Sequence, residues 1–159
     1  MKLQVRGAET FATTGGRPFA PEQPTVVFVH GAGMNRIVWY LQTRYFAHHG
    51  HAVLAVDLPG HGRSEGTLLG SVQELADWIP DLLDSAGVAK AALVGHSMGS
   101  LIALESAARH PDRMSKLALL GAASKMPVHP DLLNAANADD PLAYDLMMDW
   151  GTGPVGHFG

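Results

Sequence analysis

Four short runs of apolar residues decide what this chain can fold into. Thr25 to Val29 (TVVFV), Ala52 to Val56 (AVLAV), Ala91 to Val94 (AALV) and Leu117 to Leu120 are continuous rather than alternating. A strand with one wet face alternates, whereas a strand covered on both faces does not. Between the runs lie segments with helical spacing. These are Asn35 to His48, the series Val72, Leu75, Ala76, Ile79, Leu82 and Leu83, and Met98 to Arg109, which His110-Pro111 stops. Pro80 falls inside the second and predicts a kink there. Parallel strands need crossover connections, so strand and helix in alternation predict a doubly wound, mostly parallel α/β sheet.

The flanks are less regular. Leu3 to Val5 and Thr10 to Thr13 read as weak short strands, and Gly15 to Pro24 as a surface loop. Beyond Ser124 no strand-like run follows. Pro127, Pro130 and Pro141 punctuate two short helical stretches, Asp131 to Ala138 and Pro141 to Trp150, before a Gly-rich end. The expected organisation is residues 1–124 as one α/β core and 125–159 as the start of something helical. At 159 residues and 47% hydrophobic content the chain has enough apolar surface for one real core. A net charge of −4 with scattered Lys and Arg gives no basic stripe for nucleic acid. The absence of cysteine removes thiolate catalysis, disulfides and Cys metal sites. With no signal-like or membrane-spanning run, a cytoplasmic chain that engages no membrane is the default expectation.

Gly95-His96-Ser97-Met98-Gly99 follows a buried strand and opens a helix. A G-x-S-x-G pentapeptide in that context is a nucleophile turn: glycines two residues to either side make room for a serine on a strained bend. The helix aims its free N–H groups at the same spot, so the Met98 N–H is the expected first donor to an oxyanion at Ser97. The second should come from the loop after a neighbouring strand. His30-Gly31-Ala32-Gly33 fits, with Ala32 N–H preferred and Gly33 the alternative; Gly31, Gly33 and His96 are expected to line the substrate position. His30 itself reads as a buried histidine bonded to loop backbone. His48, His49 and His51 read as polar residues at a helix end, since nothing in that arrangement converges as a metal site would. No metal and no cofactor are expected.

A third segment, Asp57-Leu58-Pro59-Gly60-His61-Gly62-Arg63-Ser64, follows another strand and is dense in turn residues. Together, His30-Gly31-Ala32-Gly33, Asp57-x-Pro59-Gly60-x-Gly62-x-Ser64 and Gly95-x-Ser97-x-Gly99 resemble the α/β-hydrolase fold family over Thr25 to Ala123. The likeness is to its cap-bearing branch of esterases, lactonases, C–C hydrolases and perhydrolases. The resemblance implies a Ser97 acyl-enzyme formed on an ester, lactone or similar acyl substrate, a helical cap beginning near residue 125, and an architectural Asp57 that ties loop backbone. Serine at the turn argues against the dehalogenase and epoxide-hydrolase branches, whose nucleophile is a carboxylate. The family's acid and histidine follow later strands. Asp131, Asp139, Asp140, Asp145 and Asp149 read as helix caps and solvated residues, and His157 as a poor base, so both partners are expected beyond Gly159. The chain as it stands is expected to lack the last strands, to be poorly active, and to expose a sheet edge through which it could form a homodimer. A C–C bond hydrolase, or a non-catalytic binding module, are the alternatives.

Overall fold

The structure, a computed structural model, describes residues 1–123 and 125–152. Its strands are β1 (Lys2–Val5), β2 (Ala8–Thr13), β3 (Thr25–Val29), β4 (Ala52–Val56), β5 (Ala91–His96) and β6 (Met114–Leu120). The helices are α1 (Tyr40–His48), α2 (Val72–Ser85), α3 (Met98–Arg109), α4 (Pro130–Asn137) and α5 (Leu142–Thr152). One mixed sheet has the order β1-β2-β4-β3-β5-β6. The last four strands in that order run parallel, and β1 and β2 form an antiparallel hairpin joined to β4.

The runs in β3 and β4 are buried on both faces, as that pattern requires, whereas the run Leu117 to Leu120 in β6 is exposed, because that strand pairs on one side only among the described residues. Val27, Val29, Leu54, Val56 and Leu93 face Leu75, Ile79, Leu82 and Leu83 of α2 and Ile102 and Ala103 of α3. Their neighbours Val26, Phe28, Val53 and Ala55 face the opposite way, against Trp39 and Ala47. Helix α2 opens on a reciprocal cap: Ser71 Oγ accepts the Glu74 N–H, and the Glu74 carboxylate accepts from Ser71 Oγ and the Gly70 N–H. It runs on through Pro80, its buried face outweighing the one backbone bond that proline removes.

Several boundaries differ from the sequence expectation. The expected helix Asn35 to His48 divides into a 3₁₀ turn, Arg36–Trp39, followed by α1. Asn35 Oδ1 accepts the Ile37 N–H at 2.9 Å, which tightens the turn, and Ile37, Val38 and Trp39 are weak helix formers. β5 continues through Gly95 and His96, and β6 starts at Met114 rather than Leu117, because ladder pairing carries both past their apolar residues. In α4, Pro130 occupies the first position, where its missing N–H is no loss; α5 starts after Pro141 and reaches Thr152.

The chain divides into two compact units, Met1–Ala122 with the whole sheet, and a second starting at Ala123. In the second, α4 and α5 pack together, and the His129 ring meets Trp150 edge-on, 4.8 Å between centroids. No helix among the described residues is long and apolar enough to cross a membrane.

Candidate active site

Ser97 sits between the end of β5 and the first residue of α3, with φ 52° and ψ −118°. A non-glycine residue takes that conformation only when its surroundings impose it. Those surroundings are backbone. A Cβ on Gly95 would collide with the Gly99 carbonyl, and a Cβ on Gly99 with the carbonyls of Val29 and His30 on β3. The two glycines therefore let α3 start hard against the ends of β5 and β3, and the serine between them is held on the turn half-buried. Its N–H is held by the Leu120 carbonyl at 2.9 Å, and its own carbonyl accepts the Ser100 N–H at 2.9 Å. Met98 N–H, the first amide of α3, has no acceptor within the helix.

The loop after β3 closes on the same point. Gly31 is buried, and a Cβ there would stand 3.3 Å from Ser97 Cβ and 3.1 Å from His96 Nδ1. Ala32 and Gly33 are exposed beside it, Gly33 at φ 67°. Two buried polar ties fasten this loop to the one after β4. His30 Nε2 accepts the Leu58 N–H at 3.2 Å, and Asp57 accepts the N–H groups of Arg36 and Arg63, each at 2.8 Å. Ser64 Oγ donates to the Asp57 carbonyl at 2.7 Å and accepts the Phe11 N–H. Burial pushes the His30 imidazole below its ordinary pKa; the bond to the Gly31 carbonyl and the Asp57 charge oppose that and His61 adds to it.

Met34, Val38, Trp39, His96 and Leu120 line a shallow cleft of about 200 Å³. Only His96 of these was expected. Met34, Val38 and Trp39 belong to a turn whose lining face no helical periodicity reveals, and Leu120 reaches the cleft as the ladder partner of His96. Elsewhere the expected minor roles can be traced. His49 stacks on Tyr45 at 4.0 Å and bonds its carbonyl, while His51 Nδ1 meets the His49 carbonyl. Asp131, Asp139, Asp140, Asp145 and Asp149 are exposed, Asp140 accepting the Leu142 N–H at 2.9 Å. Ser124 and His157 lie outside the described residues. Among the described residues, no histidine or carboxylate hydrogen-bonds Ser97 Oγ.

The serine sits on a strained turn at a helix start with the Gly31 loop packed against it. Residues 24–155 match the alpha/beta hydrolase fold. The chain belongs to that family. Among curated alpha/beta hydrolase relatives, the (E)-2-((N-methylformamido)methylene)succinate hydrolase of Acinetobacter baylyi is 35% identical over 105 residues, 65% of this chain and 40% of that protein. The pimeloyl-[acyl-carrier protein] methyl ester esterase of Chromobacterium violaceum is 40% identical over 102 residues, 61% of this chain and 36% of its own length. A solved thermophilic esterase superposes on 93% of the chain and 54% of itself, with a TM-score of 0.74 and 28% identity. The chain thus spans well under two thirds of the proteins it matches.

Proposed function

We propose that this alpha/beta hydrolase segment supplies the nucleophile and both oxyanion donors of a serine hydrolase for carboxylic ester-like bonds. The observation that carries the reading is Ser97 at φ 52° on the first turn of α3. Its Oγ would attack the acyl carbon while an imidazole takes its proton, and the tetrahedral oxyanion would sit between the N–H groups of Met98 and Ala32. Collapse would expel the protonated alcohol, and water would then release the acid from the Ser97 ester. The base, and the acid that orients it, are not among the described residues around Ser97. The cleft beside His96 is apolar apart from that ring and fits a small hydrocarbon group of the substrate. Helices α4 and α5 are read as the start of a cap. Two relatives named as a hydrolase and a methyl ester esterase support the reaction class.

The test is fluorophosphonate labelling of a protein that carries this segment together with its general base, with the modified peptide mapped by mass spectrometry. Adduct on Ser97, absent from Ser97→Ala, is the expected result. Adduct on another serine, or labelling that survives the alanine substitution, would remove Ser97 from the role. Ala32→Pro deletes one oxyanion donor and should slow labelling by about 10²-fold to 10³-fold.

A further inference from the structure

His30 is fully buried at the end of β3, immediately before the backbone that closes over Ser97. Its two ring nitrogens meet partners of opposite kind. The Leu58 backbone N–H lies 3.2 Å from Nε2, and an amide N–H can only donate, so Nε2 must present a lone pair. The ring proton of the neutral imidazole is then on Nδ1, which stands 2.8 Å from the Gly31 carbonyl and donates to it. Met34 N–H reaches the same carbonyl at 3.3 Å. Both loop ends therefore pull on one oxygen.

The consequence lies one bond further on. The Gly31–Ala32 peptide is trans, as are all peptides among the described residues. In a trans peptide the carbonyl and the following N–H point in opposite directions. Fixing the Gly31 oxygen on the His30 ring therefore turns the Ala32 N–H away from that ring. Ala32 is exposed, next to a Gly31 that lies against Ser97. A flipped peptide would put a carbonyl where negative charge is to develop, and would leave the Nδ1–H of a fully buried ring without an acceptor.

We propose that His30 is a positioning residue whose Nδ1–H tautomer, selected by the Leu58 N–H, locks the Gly31–Ala32 peptide with its N–H facing the nucleophile. The proposal rests on the reading of Ser97 as nucleophile and Ala32 as oxyanion donor. It makes the oxyanion hole a preformed feature of this segment, controlled by one imidazole that touches no substrate. His30 acts on Ala32 through the peptide plane alone. The charged and titratable neighbours of the ring are His61, 5.2 Å away between centroids, and Asp57. A second proton, on Nε2, would confront the Leu58 N–H and the His61 ring, so the lock holds only while His30 is neutral.

Two substitutions separate its two bonds. His30→Asn places an amide nitrogen near the Nδ1 position and keeps a donor for the Gly31 carbonyl. His30→Gln reaches the Nε2 position, keeps an acceptor for the Leu58 N–H, and loses the donor. Each removes one buried bond, so a merely structural role predicts the same behaviour from both. In the wild-type chain, two-bond proton–nitrogen NMR correlations should show His30 protonated on Nδ1 only. The Gly31 carbonyl and Ala32 amide shifts should stay near wild type in His30→Asn and move in His30→Gln. Fluorophosphonate labelling of Ser97 should then be slower in His30→Gln than in His30→Asn by about 10²-fold, the loss expected when an oxyanion donor turns away. An Nε2–H tautomer in the wild type, or equal shifts in the two variants, would overturn the proposal. If a wild-type protein that carries this segment together with its general base is never labelled, the serine hydrolase reading fails, while the NMR signals still decide the peptide's orientation.

Discussion

Asp57 grips Arg36 with both carboxylate oxygens: Oδ1 accepts the Arg36 backbone N–H at 2.8 Å and Oδ2 accepts its guanidinium. The guanidinium also donates to Thr13 Oγ1 at 3.1 Å and lies 4.4 Å from the centre of the Phe11 ring. One acid, fully buried, thereby joins the loops after β3 and β4 to strand β2 at the base of the candidate site. Asp57→Ala should cost about 3–5 kcal/mol, because it strands a largely buried guanidinium and the backbone N–H groups of Arg36 and Arg63 without an acceptor. Asp57→Asn keeps an acceptor and should cost less. Urea unfolding of both variants checks the order; a loss no larger in the alanine variant would show that the carboxylate is not the tie.

A second acid acts on the seam between α2 and α3. Asp77 receives two bonds from the Arg109 guanidinium, at 2.9 and 2.7 Å, and one from His110 Nε2 at 2.7 Å. The Arg109 bonds first, then His110, hold its carboxyl at about 2 instead of 3.8. A carboxyl whose folded pKa is depressed contributes its stability above the unfolded value and loses it as pH falls through the folded one. The stability difference between wild type and Asp77→Asn should therefore be full at pH 6 and shrink between about pH 4 and pH 2. The pair is exposed, so the difference is small and salt-sensitive. Unfolding midpoints measured across that range, at low and high salt, test both statements.

The centre of the sheet was readable because β3 and β4 are buried on both faces and so written as unbroken apolar runs. Val26 and Val27 both had to be apolar, since they face different helix layers. The strained turn at Ser97 was readable for a different reason: Gly95 and Gly99 are dictated by backbone contacts that admit no Cβ. What stayed illegible depends on pairs far apart in sequence. Nothing in Arg36 announces Asp57 as its partner across 21 residues, and nothing in Trp39 announces that it lines a cleft with Leu120. The hairpin residues Lys2 and Ala8 are polar or small, and only the register of β1 on β2 makes them strand.

The elbow glycines give a sharper test than the serine itself. Gly99→Ala drives a Cβ into the carbonyls of Val29 and His30, both fixed in β3 or at its end. Helix α3 must move away from the sheet, which should cost about 1–3 kcal/mol by overpacking and shift the Met98 N–H with it. The variant should unfold at lower denaturant and label at Ser97 more slowly than its stability loss alone explains. Wild-type labelling in a destabilised Gly99→Ala protein would mean that the start of α3 does not set the oxyanion geometry.

The last strand of the sheet raises the question of self-association. Among the described residues β6 pairs with β5 alone, on one side, and Ser115 to Leu120 are exposed. Leu117, Leu119 and Leu120 are 39%, 39% and 42% exposed, and Lys116 is the one charge on the strand. Edge strands that stay single are short, bulged or charged, because unpaired N–H and C=O groups recruit a second strand. This edge is seven residues long, and its one irregularity lies at the Ala91/Ala92 end. A second copy of the chain could therefore pair there, edge to edge, about a twofold axis. The expected result is a sedimentation coefficient that rises with concentration for the 159-residue chain and remains monomeric for Leu119→Lys, which puts a charge on the edge without touching the core. Equal behaviour of the two proteins would locate any association elsewhere, and a monomeric wild type at every concentration would show that this edge does not recruit a second copy.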